Sequence, residues 1–232
     1  MEPEDLLDRF LATFNQVEKA LRKKLKAEGH ASFTSLVDAY DRQRRLGRDV
    51  DFLKTVANLR NVLVHDKTEH KQHLAIPTLE VVKGLERVLE RIEHPKRVVP
   101  AFQRKVEVVA PTHSLGEVLR RINAVDYSQF PVYEAGRFLG VLTENGITRW
   151  LAHHIEHTMS LVDLNEVPVR DVLQEEEQRE VCRFIARDLT VDEARVHFAD
   201  HRLLEVLLIT QTGRKDQELL GIMTRWDLLQ EQ

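Results

Sequence analysis

The sequence predicts a two-part protein of the α + α/β class: a four-helix bundle followed by a tandem pair of small β-α-β-β-α repeats. Three observations lead to this prediction. Apolar residues recur every three or four positions through the first 96 residues, the spacing of helices with one buried face. After Pro100 they form short runs rich in Val, Ile, Phe and Tyr, separated by single helical stretches. Finally, an eight-residue segment recurs 81 residues further along the chain.

Four amphipathic helices are predicted in the first part, each bounded by a residue suited to that position. Gly29 fits the C-terminal cap of the first helix, and Ser32 fits the N-cap of the second, which ends at Gly47. The fourth begins near Pro77, because proline is tolerated in a first helical turn, and Pro95 closes it. Short connections between such helices predict an antiparallel bundle.

The second part shows the order strand, helix, strand, strand, helix twice. Its first strands are expected at Val106–Ala110 and Cys182–Ala186, and Gly140–Ile147 aligns with Gly221–Leu228. Because neither copy has much core of its own, the two should pack together, with Trp150 and Trp226 between them. The predicted domains are a helical bundle (1–96), a first repeat (100–160) and a second repeat (165–232).

Composition narrows the class of protein. Hydrophobic residues make up 42% and charged residues 31%, as in ordinary globular chains. An acidic start and the lack of any apolar run near the roughly 20 residues of a membrane span predict a cytoplasmic protein without a membrane partner. The single cysteine, Cys182, excludes an internal disulfide and a multi-cysteine zinc site. Residues 1–97 carry a net charge of +3 and the remainder −7, which permits RNA contact without requiring it.

The two copies resemble a pair of cystathionine-β-synthase (CBS) domains, often called a Bateman module. The resemblance covers about residues 100–231 and rests on Phe130-Pro131-Val132, Gly140–Thr143 and Gly221–Asp227. It implies that an adenine nucleotide (AMP, ADP or ATP) binds as a regulatory ligand in a cleft between the repeats.

The residues of the second copy suit that ligand. Thr224 ends a strand and begins a helix, where a hydroxyl and free N–H groups can bind phosphate, and Arg225 adds a cation. Asp227 can accept hydrogen bonds from ribose hydroxyls. In the first copy Thr143 takes the place of Thr224, but Gly146 stands where the family usually has its ribose-binding aspartate, so one competent site is predicted. The alternative is that Thr224 only caps a helix and Asp227 is a solvated first-turn acid.

The third predicted helix ends in Leu59-Arg60-Asn61-Val62-Leu63-Val64-His65-Asp66, which resembles the R-N-x-x-x-H signature of HEPN domains. These are four-helix modules found in many RNases, and the resemblance covers residues 3–94. It implies a homodimer in which Arg60, Asn61 and His65 are catalytic residues of metal-independent RNA cleavage. Histidine can take the 2′-hydroxyl proton near neutral pH, and arginine can bind phosphate oxygens in a fork. Alternatively, these residues hold the helix end and the dimer together without catalysis.

Two functions therefore stay open. In the first, a nucleotide-sensing CBS pair regulates an RNA-cleaving helical domain through a link, Glu93–Pro100, that two prolines stiffen. In the second, the helical domain only dimerises or recruits a partner. A metal-dependent hydrolase built on His153 and His157 lacks a third ligand, so no metal is expected.

Overall fold

The computed structural model describes residues 3–44, 46–47, 49–65, 75–125, 128–157, 162–176 and 180–230. The chain divides into two compact units, a helical unit (residues 1–96 with 190–193) and an α/β unit (residues 97–189 with 194–232). A mixed helix and sheet protein with a helical N-terminal region is therefore confirmed. None of the helices in the described ranges is long and apolar enough to cross a membrane.

The described residues of the helical unit form four helices: α1 Pro3–Leu25, α2 Phe33–Arg44, α3 Asp49–His65 and α4 Leu79–Glu93. The hydroxyl of Ser32 accepts a hydrogen bond from the Ser35 N–H at 3.2 Å, as its N-cap position predicts. The corresponding group before α4 is Thr78, whose hydroxyl accepts from the Val81 N–H at 3.4 Å. Helix α4 therefore begins two residues after Pro77, at the first residue beyond its side-chain cap.

One apolar core lies among these helices. Helix α1 packs against α2 and α4, and α3 packs against α2 and α4. Arg9 and Glu86 join α1 to α4 at the surface with a two-pronged ion pair, whose Nη2–Oε2 distance is 2.7 Å. The largest fully buried side chains are Phe10, Leu21, Leu36, Leu53, Leu63, Leu85 and Ile92. Because they fall at the spacings of three and four that the sequence shows, burial of these stripes accounts for the helices.

The first half of the α/β unit contains α5 Val98–Ala101, α6 Leu115–Val125, β1 Gln129–Glu134, β2 Arg137–Thr143, α7 Glu144–His157 and α8 Val169–Glu176. Strands β1 and β2 are antiparallel, with an irregularity between Val132 and Tyr133. The strand expected at Val106–Ala110 is reduced to one bridge. There, Val109 donates to the Pro131 carbonyl and accepts from the Tyr133 N–H, both at 3.0 Å.

Helix α8 was not predicted from the sequence. It buries Val169, Val172 and Leu173 in the same core as Phe130 and Trp150. Its apolar positions are few and run into an acidic stretch, so the segment has the composition of a solvated link. Contact with a core formed by distant residues makes it a helix.

The second half contains β3 Cys182–Ala186, α9 Val191–Asp200, β4 Val206–Thr210, β5 Gly221–Thr224 and α10 Arg225–Gln230. Strand β4 is the centre of a three-stranded sheet, parallel to β3 and antiparallel to β5. Val141 of the first half is buried with Val206, Leu208 and Ile222 of the second, so the halves share a core. The element order matches the predicted second repeat, whose family assignment stays a prediction.

Cys182 packs against this shared core. Burial, and to a lesser degree the nearby Glu180 carboxylate, raises the pKa of its thiol to about 11. Because the thiolate is the reactive form, we expect iodoacetamide at pH 8 to alkylate Cys182 at least about tenfold more slowly than glutathione. Mass spectrometry over a time course measures both rates, and unfolding in urea should remove the difference. Fast labelling of the folded chain would show that the thiol is accessible.

Candidate functional site

A cleft of about 660 Å³ opens in the α/β unit where β5 passes into α10. We call it the main cleft because Thr224 and Asp227 line it; a cavity of about 730 Å³ beside residues 216–220 lacks both of them. The extended segment 104–107 forms one wall, and Thr224, Trp226 and Asp227 form another. Ser128 of the first half also lines the cleft, so both halves of the α/β unit contribute side chains.

Thr224 and Asp227 bind each other at the start of α10. Asp227 Oδ2 accepts hydrogen bonds from the Thr224 N–H at 2.6 Å and from the Thr224 hydroxyl at 2.9 Å. The Asp227 N–H in turn donates to the Thr224 Oγ1 at 3.4 Å. This reciprocal arrangement is a capping box, and it uses the hydroxyl and the N–H group of Thr224. Asp227 Oδ1 accepts no hydrogen bond from the described residues and stays available to a ligand.

A third residue, Arg104, completes this cluster. Its Nη2 lies 3.2 Å from Asp227 Oδ2, in an ion pair whose side chains are 37% (Arg104) and 16% (Asp227) exposed. The Nε atom of Arg104 is buried and has no hydrogen-bond partner among the described residues. Sequence reasoning missed Arg104, because it stands 123 residues from Asp227 in a segment without a motif.

Gly221 explains how Arg104 reaches the cleft. Gln103 forms a β-bridge with Gly221, and the Arg104 N–H donates to the Leu220 carbonyl at 3.2 Å. A Cβ atom on Gly221 would lie 2.1 Å from the carbonyl oxygen of Phe102, so only glycine lets this segment lie against β5.

Arg225, the predicted phosphate-binding cation, is placed elsewhere. Its Nε donates to the Leu204 carbonyl at 3.0 Å, and its Nη2 donates to the carbonyls of His201 (2.8 Å) and Arg202 (3.2 Å). The guanidinium lies 5.4 Å from the centre of the Phe198 ring. These contacts tie residues 201–204 to α10. Arg225 lines a separate cavity of about 360 Å³ rather than the main cleft.

Thr143 is not brought to the main cleft either. It is 1% exposed, and its hydroxyl accepts a hydrogen bond from the Gly146 N–H at 3.0 Å. It therefore caps α7 as Thr224 caps α10. With glycine at 146 there is no carboxylate to complete a second capping box or to face a ligand.

A family model matches the first part of this unit. The model described as "CBS domain" matches residues 97–153, from α5 into α7. The chain carries a CBS domain at residues 97–153. The match covers the first predicted repeat up to residue 153 and includes Arg104, Ser128 and the Thr143 cap. The main cleft is therefore formed by the CBS domain together with β5 and α10 of the second half.

Several solved structures resemble part of the chain at low sequence identity. A conserved CBS domain protein of unknown function from Thermoplasma acidophilum is 17% identical, with a TM-score of 0.47, and the match covers 60% of this chain and 70% of that one. An uncharacterized conserved protein from Pyrococcus horikoshii is 21% identical, with a TM-score of 0.45, and the match covers 59% of this chain and 92% of that one. A hexameric CBS-CP12 protein from bloom-forming cyanobacteria is 18% identical, with a TM-score of 0.42, and the match covers 55% of this chain and 66% of that one. None of the curated proteins matches the chain.

Trp226 differs from the prediction that both tryptophans pack between the repeats. Trp150 is buried in the core of the CBS domain, whereas Trp226 is 74% exposed and lines the main cleft. On the facing wall, the backbone groups of residues 105–107 make no backbone hydrogen bond with other described residues. The cleft thus has an aromatic ring and free peptide groups beside Asp227.

The candidate residues of the helical unit lie at the end of α3. Arg60 Nη1 donates to Asn61 Oδ1 at 3.4 Å, and the Arg60 guanidinium lies 5.9 Å from the centre of the Phe14 ring. Asn61 is exposed and Arg60 half-buried. His65 is the last residue of α3, and its side chain lies outside the described part of the chain. Among the side chains that are described, no three His, Cys, Asp or Glu cluster as metal ligands would.

Proposed function

We propose that this chain is a regulatory protein that senses an adenine nucleotide in the main cleft. The observation that carries the proposal is the cleft itself, in which Asp227, Trp226 and the free backbone of residues 105–107 surround about 660 Å³. That volume lies within the range of small-molecule and cofactor sites. The CBS domain supports the class of ligand, because the resemblance to CBS pairs implies adenine nucleotides.

Each group has a distinct role in this proposal. Asp227 Oδ1 accepts hydrogen bonds from the ribose hydroxyls, while Oδ2 stays bound to Thr224 and Arg104. The exposed indole of Trp226 offers a face on which a base can stack. Backbone N–H and C=O groups of the segment 105–107 can read the polar edge of adenine, because each needs a hydrogen-bond partner when a ligand displaces water. Thr224 acts indirectly, because its hydrogen bonds hold the side chain of Asp227 in place.

The proposal predicts a large effect of Asp227→Asn on nucleotide affinity. The neutral amide keeps the shape of the side chain but loses the charged acceptor for ribose, so AMP binding should weaken about ten- to a hundredfold. Titration calorimetry measures the change. Asp171→Asn, an exposed first-turn acid of α8 outside the cleft, is the matched control and should leave affinity unaltered. Equal affinity of wild type and Asp227→Asn would remove the ribose assignment.

For the helical unit we propose a HEPN-like, RNA-cleaving homodimer with Arg60, Asn61 and His65 as catalytic residues. Support comes from the exposed Asn61 and its hydrogen bond to Arg60, one turn before His65 on α3. The contact of Arg60 with Phe14 favours the second candidate, a non-enzymatic unit that dimerises or recruits a partner, because it gives Arg60 a packing role.

A further inference from the structure

We infer that Arg104 is the residue that recognises the phosphate group of the ligand in the main cleft. The inference rests on the proposed nucleotide binding and names the part of the ligand that this site selects. It starts from the unused donor of Arg104. A guanidinium carries five N–H donors: the Nη2 group meets Asp227, the Nε–H is buried, and the Nη1 group meets no acceptor among the described residues.

A phosphate oxygen in the cleft would supply an acceptor for the Nη1 group, whereas the Nε atom is too buried for a ligand to reach it. A guanidinium binds phosphate through two parallel hydrogen bonds, which the Nη1 and Nη2 groups can donate together. Asp227 fixes the guanidinium at one nitrogen, so little side-chain freedom is lost when the anion binds. The half-exposed position leaves the rest of the group open to the cleft.

The other candidates for phosphate binding are less suited. The Thr224 N–H and hydroxyl already donate to Asp227, and Arg225 donates to three backbone carbonyls away from the main cleft. Lys105 lines the cleft but is exposed, so it would lose more side-chain freedom on binding. Glu107 and Glu144, also on the cleft wall, carry the wrong charge.

The carboxylate of Asp227 takes part in recognising both the ribose and the phosphate. Asp227 holds Arg104 through Oδ2 and leaves Oδ1 free, so one side chain places a phosphate-binding cation beside a ribose-binding acceptor. The expected ligand class is therefore a phosphorylated ribonucleoside, with the corresponding nucleoside bound much more weakly.

Comparison of AMP with adenosine tests this inference by titration calorimetry on the full chain. Wild type should bind AMP about ten- to a hundredfold more tightly than adenosine. Arg104→Gln should lose the preference for AMP over adenosine. Its affinity for adenosine should change less than about threefold, and this unchanged affinity would show that the cleft is still folded. Lys105→Gln, the matched control from the next residue, should keep the preference for AMP.

Two results would overturn the inference while nucleotide binding stands. If Arg104→Gln weakens AMP and adenosine equally, Arg104 only positions Asp227. If Lys105→Gln instead abolishes the preference, the neighbouring cation binds the phosphate. Wild type that binds neither compound would contradict the proposed function itself, and the inference with it.

Discussion

Replacing Gly221 with alanine is expected to destabilise the α/β unit by about 3 kcal/mol, the upper end of what overpacking usually costs. The new Cβ would lie 2.1 Å from the Phe102 carbonyl oxygen and 3.1 Å from its carbon, both backbone atoms. Phe102 is itself buried, so the segment has little room to withdraw. The strain therefore falls on the pairing of residues 103 and 104 with β5.

The internal repeat provides a matched control. Gly140 occupies the position that aligns with Gly221, yet a Cβ there would meet only the end of the Leu173 side chain, at 3.3 Å. A flexible side chain can move by a few tenths of an ångström, so Gly140→Ala should change stability by less than about 1 kcal/mol. Urea unfolding of both variants gives the comparison. Equal effects would show that the close approach at Gly221 is relieved at low cost.

The same substitution links stability to the site. Arg104 reaches Asp227 because the preceding backbone lies on Gly221, so any Gly221→Ala molecules that fold should hold Arg104 away from the cleft. AMP affinity should then fall toward that of Arg104→Gln. Wild-type affinity in a folded Gly221→Ala variant would mean that Arg104 reaches the phosphate without this pairing.

The sequence predicted best what depends on local periodicity. The stripe of α1 is buried at Phe10, Phe14, Val17 and Leu21, since a spacing of three and four leaves one face of a helix for the core. The α8 helix and the missing strand at 106–110 were not predictable in this way. In both segments the conformation depends on which distant residues supply a core or a hydrogen-bonding edge.

The site could be predicted only in part for the same reason. The spacing of Thr224 and Asp227 locates the cleft, because a strand end and a helix start are local features. The identity of the cation that faces Thr224 and Asp227 depends instead on contacts between residues far apart in the sequence. Arg225 adjoins Thr224 in sequence but turns to the loop at 201–204, whereas Arg104 arrives from a segment that pairs with β5. Trp226 was misassigned because its burial was inferred from a helix position likened to that of Trp150, and that position alone does not determine which way the side chain faces.

The largest functional effect is expected from His65→Ala in an RNA-cleavage assay. If the HEPN-like motif is catalytic, loss of its general base should slow cleavage of single-stranded RNA about 10²- to 10⁴-fold. AMP affinity should not change, because the main cleft is built entirely within the α/β unit. His30→Ala removes an exposed histidine from the same helical unit and should cleave at the wild-type rate.

Asp227→Ala should separate catalysis from its control by nucleotide. A ligand regulates an enzyme only through a difference in affinity between two states, typically about 1–3 kcal/mol, or about 5- to 150-fold in affinity. Without the ribose acceptor the cleft loses most of that difference, so Asp227→Ala should cleave RNA at a rate that AMP and ATP no longer alter. A wild-type protein that cleaves no RNA with any nucleotide would favour the non-enzymatic regulator. Cleavage that survives His65→Ala would instead mean that the R-N-x-x-x-H segment holds the helix end or the dimer. In that case the catalytic groups must be sought on other exposed residues of the helical unit.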